Sequence, residues 1–171
     1  MLKRKPAPAV VSKAKGNTLL LERAFEASPS QLYRAYTEEE LLREWWGPKG
    51  WTVAESRMEL QPGGFWHYGL AAEDGSRKTW GKFVYRELQE NERLVYEDYA
   101  ADESGAVPEG QGLLVSLEFR EEGGRTRLAS RAEFVSSQAL KRSLKLGVVE
   151  GMSQTWDRLA ACLRRMDREK G

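Results

Sequence analysis

His67 and Cys162 are the single histidine and the single cysteine of this 171-residue chain. The side chains that most often carry acid–base, nucleophilic or metal chemistry therefore occur once each. One histidine cannot build a histidine-based metal site, and a general acid or base needs a partner within reach. No run of carboxylates has the spacing of a calcium loop. Cys162 falls in a helical pattern with no histidine nearby to activate it, so it reads as a small packed side chain. Ser136-Ser137 precede a helix and read as a cap. Gly63-Gly64 lead into a strand, and the Gly-x-x-x-x-Gly-Lys-Ser/Thr pattern of a phosphate loop does not occur. Glu97 and Asp98 are adjacent on a strand and point to opposite faces, so they form no carboxylate pair. No catalytic residue and no cofactor is assigned on these grounds.

The remaining signal is aromatic: six Trp, six Tyr and five Phe. Their first role is core packing. Trp66, Tyr68 and Leu70 share one strand face, and Leu94 and Tyr96 share another. The candidates to line a cavity are Trp45, Trp46, Trp66, Tyr68, Trp80, Tyr96, Phe119, Met152 and Trp156. An apolar concavity with a few indole and phenol groups suits a small hydrophobic molecule, lipid-like or polyketide-like.

The elements that must position these side chains can be read from periodicity. Thr18 to Phe25 alternates as a strand. Ser28-Pro29 opens a helix as N-cap and first-turn proline. Thr37, with Glu40 three residues on, is expected to cap a second short helix that ends at Trp45-Trp46-Gly47-Pro48. Six strands follow: Trp51 to Leu60, Phe65 to Ala72, Thr79 to Leu88, Arg93 to Ala100, Leu113 to Arg120, and the alternating run 125–133. Pro62-Gly63-Gly64, Glu73-Asp74-Gly75-Ser76, Gln89 to Glu92 and Glu121 to Gly124 supply the turns. Polar outward faces suit an antiparallel sheet that is wet on one side. Leu140, Leu144, Val148, Met152, Trp156, Leu159, Leu163 and Met166 form one apolar stripe, which predicts one long C-terminal helix. Gly147 and Gly151 interrupt it, and the expectation is that something approaches the backbone there. The fold class is α+β: a curved antiparallel sheet around a long terminal helix, with two short helices after the first strand.

Composition bounds the rest. The chain is 40% hydrophobic and 31% charged, with net charge +1, which fits a soluble globular protein. Residues 1–16 carry Lys3, Arg4, Lys5, Lys13 and Lys15 and no acid, and are expected to be a disordered basic tail ahead of a single domain over 17–171. The tail has no aromatic residue for base stacking, so no nucleic-acid partner is expected. No apolar run nears the ~20 residues of a membrane helix, and no secretory core is present, so a cytoplasmic monomer or homodimer is the expectation.

The pattern Arg23-x-Phe25, Ser28-Pro29, Tyr33-x-Ala35, Leu41-x-x-x-Trp45-Trp46-Gly47-Pro48, Pro62-Gly63-Gly64-x-Trp66, Asp74-Gly75, Gly81, Glu92 to Tyr96, Gly124-x-Thr126-x-Leu128 and Gly151 resembles the C-terminal domain of the activator of heat-shock protein 90 ATPase. That family belongs to the START-like, polyketide-cyclase superfamily. The resemblance spans roughly residues 18–165 and implies the helix-grip fold. It also implies ligand binding between sheet and helix, with cyclase-type catalysis by Tyr, Glu or His67, or a chaperone partner, as alternatives. The chain departs from the pattern at Glu59-Leu60-Gln61, which lacks the usual basic member, at Met152 in place of an aromatic, and in the long 101–112 loop. Single-domain members lack the co-chaperone's N-terminal domain, so a chaperone role does not follow from the resemblance.

Overall fold

Ser28 accepts a hydrogen bond from the Gln31 amide while the Gln31 side chain accepts one from the Ser28 amide. This capping box starts α1, Pro29–Thr37, where the sequence placed it. Helix α2, Glu39–Trp45, follows after one extended residue, Glu38. The expected Thr37 cap is not made. Thr37 is the last residue of α1 and its hydroxyl donates to the Tyr33 carbonyl 2.7 Å away, so Glu38 caps α2 without a side-chain bond. A threonine inside a helix finds its own preceding turn before it finds the next helix.

The computed structural model describes residues 10–107 and 112–169. Eight strands form one antiparallel sheet: β1 Val11–Lys15, β2 Thr18–Phe25, β3 Trp51–Glu59, β4 Phe65–Ala72, β5 Lys78–Gln89, β6 Arg93–Ala101, β7 Leu113–Glu122 and β8 Arg125–Glu133. Their order is β1-β2-β8-β7-β6-β5-β4-β3. Strands β3 to β8 are a meander, each beside its predecessor, and β2 closes onto β8 with Thr18 opposite Glu133 and Phe25 opposite Thr126.

Two expectations fail here. Residues 11–15, assigned to a disordered tail, form edge strand β1 against β2, turning back at Gly16 with φ +61°. Every β1 side chain is exposed. Main-chain pairing holds the strand without a buried face, and the basic composition that suggested a tail is the charge an edge strand carries against further pairing. Residues 1–9 of the expected tail lie outside the described residues. The C-terminal helix is also divided, into α3 Ser137–Lys145 and α4 Val148–Glu169. Gly147 sits at φ +88° between them, a conformation that suits glycine. The glycine serves a turn, and nothing lies within 4 Å of a Cβ built at Gly151.

Inward positions of β2 to β8 meet α1, α2 and α4 in one core that includes Leu32, Leu42, Trp45, Trp66, Tyr85, Leu94, Leu128, Trp156 and Leu159. Register places Tyr68 opposite Gly81, and a Cβ on Gly81 would lie 2.2 Å from the Tyr68 hydroxyl. Glycine there leaves room for the phenol. Gly64 is fixed in a similar way: an added Cβ would lie 2.1 Å from the Glu59 carbonyl oxygen, so the Pro62-Gly63-Gly64 turn admits no side chain at its last position.

Candidate functional site

The nine aromatic and Met candidates divide into a packed core and one outlier. Trp46 is in edge-to-face contact with Trp45, Trp66, Tyr68 and Phe83, with ring centroids 5.0–6.2 Å apart. Trp66 stacks on Tyr68 at 4.2 Å and Phe83 on Tyr96 at 4.1 Å. Phe119 meets Tyr36, and Trp156 meets Phe25. The fully buried indoles are satisfied. Trp45 Nε1 donates to the Ala35 carbonyl, Trp66 Nε1 to Ser56 Oγ, and Trp156 Nε1 to the Tyr36 hydroxyl. Met152 is half-buried against the same core. Trp80 is the outlier: it stands opposite Gly69 on the outer face of the sheet, stacked on His67 at 5.0 Å. Alternation along β5 sends Gly81, Phe83 and Tyr85 inward, and therefore Trp80 outward.

His67 shares that outer face. Its Nε2 donates to the Asp102 carbonyl 2.9 Å away, while Tyr68 points into the core. His67 and Tyr68 thus lie on opposite sides of the sheet and cannot act on one ligand. Burial, with Glu44 nearby, pushes the Cys162 thiol up to about 12, so it stays protonated and unreactive at neutral pH. Among the described residues no group of three or more His, Cys, Asp and Glu could hold a metal.

A cleft of about 460 Å³ opens between the ends of β6 and β7 and helix α3, lined by residues that include Asp98, Leu113, Phe134, Val135, Ala139, Arg142, Ser143 and Leu146. None of the nine candidates lines it. Its lip is apolar and wet: Val135 is 60% and Leu146 88% exposed. Its polar centre is Asp98. Leu94, Tyr96 and Asp98 alternate on the inner face of β6, with Phe83 and Leu113 as the strand neighbours of Asp98. Among the described residues the Asp98 carboxyl has no hydrogen-bond or ion-pair partner. Glu97, on the outer face, is paired with Arg86 at 2.7 Å and accepts from the Tyr99 hydroxyl.

Desolvation pushes Asp98 from its ordinary value of 3.8 up to about 7. Between those values the folded protein keeps a proton that the unfolded chain has lost, so stability falls as pH rises through that window. The other ionisable groups around Asp98 are Tyr68 on β4, Tyr96 on β6 and Arg142 on α3. Both tyrosines are held neutral by burial, the Asp98 charge adding to the effect. Asp98→Asn is expected to stabilise the protein by about 1–2 kcal/mol at pH 8 and to have little effect at pH 4, partial exposure reducing the full linkage value. Melting curves of both proteins at the two pH values test this. An equal effect at both, or a loss at pH 8, would contradict it.

A second concavity, of about 490 Å³, lies on the outer face of β2, β8, β7 and β6. Its charges are largely paired with one another: Arg93 with Glu87 and Glu118, Arg120 with Glu118, Arg131 with Glu133. It has the character of a solvated sheet face. No helix among the described residues is long and apolar enough to cross a membrane.

The sheet curved about a C-terminal helix, with a half-apolar cleft at its open end, defines a START-like helix-grip protein. The model of the family described as activator of Hsp90 ATPase homolog 1-like protein matches residues 26–164, and the chain belongs to that family. Among solved structures it is similar to protein Ms6760 from Mycobacterium smegmatis, at 27% identity and TM-score 0.79 over 91% of this chain and 97% of that one. A Staphylococcus epidermidis protein solved by NMR matches at 25% identity and TM-score 0.81, covering 91% and 94%. An Arthrobacter aurescens protein shares the fold at TM-score 0.84 and 22% identity, over 92% of each chain. No curated protein matches the sequence.

Two residues that matter to this geometry are not among the site candidates read from sequence, where Asp98 enters only as half of a rejected carboxylate pair. Asp98 was legible, since extending the Leu94–Tyr96 alternation by two places puts a carboxylate on the inner face. Arg158 was not. It lies on α4, and its guanidinium reaches the carbonyls of Glu44, Trp46, Gly47, Pro48 and Trp51 at 2.8–3.4 Å, more than a hundred residues away in sequence.

Proposed function

We propose that the chain is a binding protein for a small, mainly hydrophobic molecule, held in the cleft between the β6–β7 end of the sheet and α3. The observation that carries this reading is the exposure of Leu146 and Val135 at the mouth of a concavity of ligand size. An isolated exposed aliphatic group is ordinary, but two on the lip of one half-apolar cleft mark a surface that is completed by something else. Membership of a family with the helix-grip fold supports it. The densely packed aromatic core beneath is then the rigid floor of the site, and its indoles serve to hold the sheet's curvature. The family's description names an ATPase activator; a chaperone partner would act through the surface and does not require this cleft.

The test is titration of the isotope-labelled protein with 1-octanol and 2-naphthol, followed by amide shifts. Saturable shifts clustered at Leu113, Phe134, Ala139 and Leu146 are expected. Ser143→Trp, which fills the cleft from α3, is expected to weaken binding roughly tenfold or more while leaving the melting temperature unchanged. Shifts scattered over the surface, or an unaltered affinity in Ser143→Trp, would remove the cleft as the site.

A further inference from the structure

The cleft contains two groups of opposite charge whose surroundings differ. Asp98 stands on β6 among Phe83, Tyr96 and Leu113, with no partner for its carboxyl among the described residues. Arg142 lies on the solvent side, at an exposed position of α3. An ion pair made in water contributes little, because both ions are already well solvated and screened. The same pair made against a half-buried carboxylate flanked by Phe83 and Leu113 contributes more, because the carboxylate has lost part of its water and the local dielectric is lower. A cationic headgroup that reaches Asp98 restores what burial removed. An anionic headgroup held at Arg142 exchanges one solvated state for another.

Resting on the binding function proposed above, we propose that the preferred ligands of the cleft are apolar amines, with the ammonium on the Asp98 carboxylate and the hydrocarbon along Leu113, Phe134 and Val135. The carboxylate is an acceptor only, and an ammonium supplies three donors to it and its neighbours. Ser143 lines the same cleft from α3. The apolar lip at Leu146 then covers the chain of a ligand whose head is already buried. This arrangement also accounts for an unpaired acid in an apolar setting, which weakens the folded protein while the cleft is empty and is compensated when it is filled.

Octylamine, 1-octanol and octanoate have the same chain and differ in the head. Their affinities for the wild-type protein and for Asp98→Asn, measured by calorimetry at pH 8.5, test the proposal. Octylamine is expected to bind at least roughly tenfold more tightly than octanoate, and Asp98→Asn to abolish that preference while retaining 1-octanol binding. Melting curves establish that the variant is folded. If octanoate binds as well or better, with its affinity lost in Arg142→Ala, the amine is the wrong head and the cleft remains the site. If octylamine prevails but Asp98→Asn leaves the preference intact, Asp98 is not its partner and the proposal fails. If none of the three binds, the amine and the binding function fall together.

Discussion

Arg158→Ala is expected to cost about 3 kcal/mol, a fall in Tm on the order of 10 °C for a chain of this size. The last carbonyls of α2 have no partner within their own helix, and beyond it the Trp46 amide still bonds Leu42 and the Pro48 carbonyl accepts from Trp51, which leaves the carbonyls of Trp46 and Gly47 to be met from elsewhere. Arg158 Nη1 lies 2.8 Å from the Gly47 and Trp51 carbonyls and 3.4 Å from those of Trp46 and Pro48, and Nη2 is 3.2 Å from that of Glu44. One guanidinium thus closes the end of α2, holds the segment that sets Trp45 and Trp46 into the core, and fastens α4 to both. Arg158→Lys is expected to recover less than half of the loss, because a single ammonium cannot reach carbonyls spread over a planar fork. A change below about 0.5 kcal/mol, or full rescue by lysine, would show that these bonds are exchanged for water without cost.

The second large effect concerns an arginine on the inner face of β2. Arg23 is 3% exposed, its Nη1 lies 2.6 Å from Asp157 Oδ1 on α4, and its Nε has no partner among the described residues. Asp157 is 60% exposed, so the pair is buried at one end only. Removing the carboxylate leaves the buried cation without compensation, and Asp157→Ala is expected to cost about 3 kcal/mol. The double change Arg23→Met with Asp157→Ala removes the charge together with its partner and fills the space with an apolar chain, so its cost is expected to stay below about 1 kcal/mol. Denaturant melts of the two variants decide the matter. A double variant less stable than Asp157→Ala alone would mean that Arg23 contributes mainly through packing, including its position over the Phe25 ring.

The residues that were legible in advance are those whose conformation is decided locally. Ser28-Pro29 caps α1, Asp74-Gly75 and Gly123-Gly124 turn strands, and the inward face of β7 alternates as Leu113, Val115, Leu117 and Phe119. The family motif fixed the helix-grip arrangement for the same reason, since most of its residues lie in caps, turns and core positions. What stayed hidden depends on distant partners. Val11–Lys15 has no buried face and no amphipathic pattern, and it becomes a strand because β2 offers it an edge. The stripe from Leu140 to Met166 reads as one helix because its apolar residues keep helical spacing across Gly147, although Leu144 is exposed in the structure. Large aromatics read from sequence as a lining, and in the structure eight of the nine candidates pack in or against one core, since at this density they fill much of the space themselves. The cleft beside α3 is lined from β6, the start of β7, the segment after β8 and α3 itself, and residues so far apart in sequence carry no common motif.

The strand order has a consequence for how the chain is made. β3 to β8 can pair in turn as each leaves the ribosome, every strand meeting the one just before it. The β1–β2 hairpin forms first but has no sheet to join until β8 exists, because its neighbour is more than a hundred residues downstream. Closing that loop is the slow, entropically costly step of such a topology. Until then the inner face of β2, with Leu19, Leu21 and Phe25, remains uncovered, and the nascent protein is most exposed to misassociation between synthesis of its second strand and its eighth.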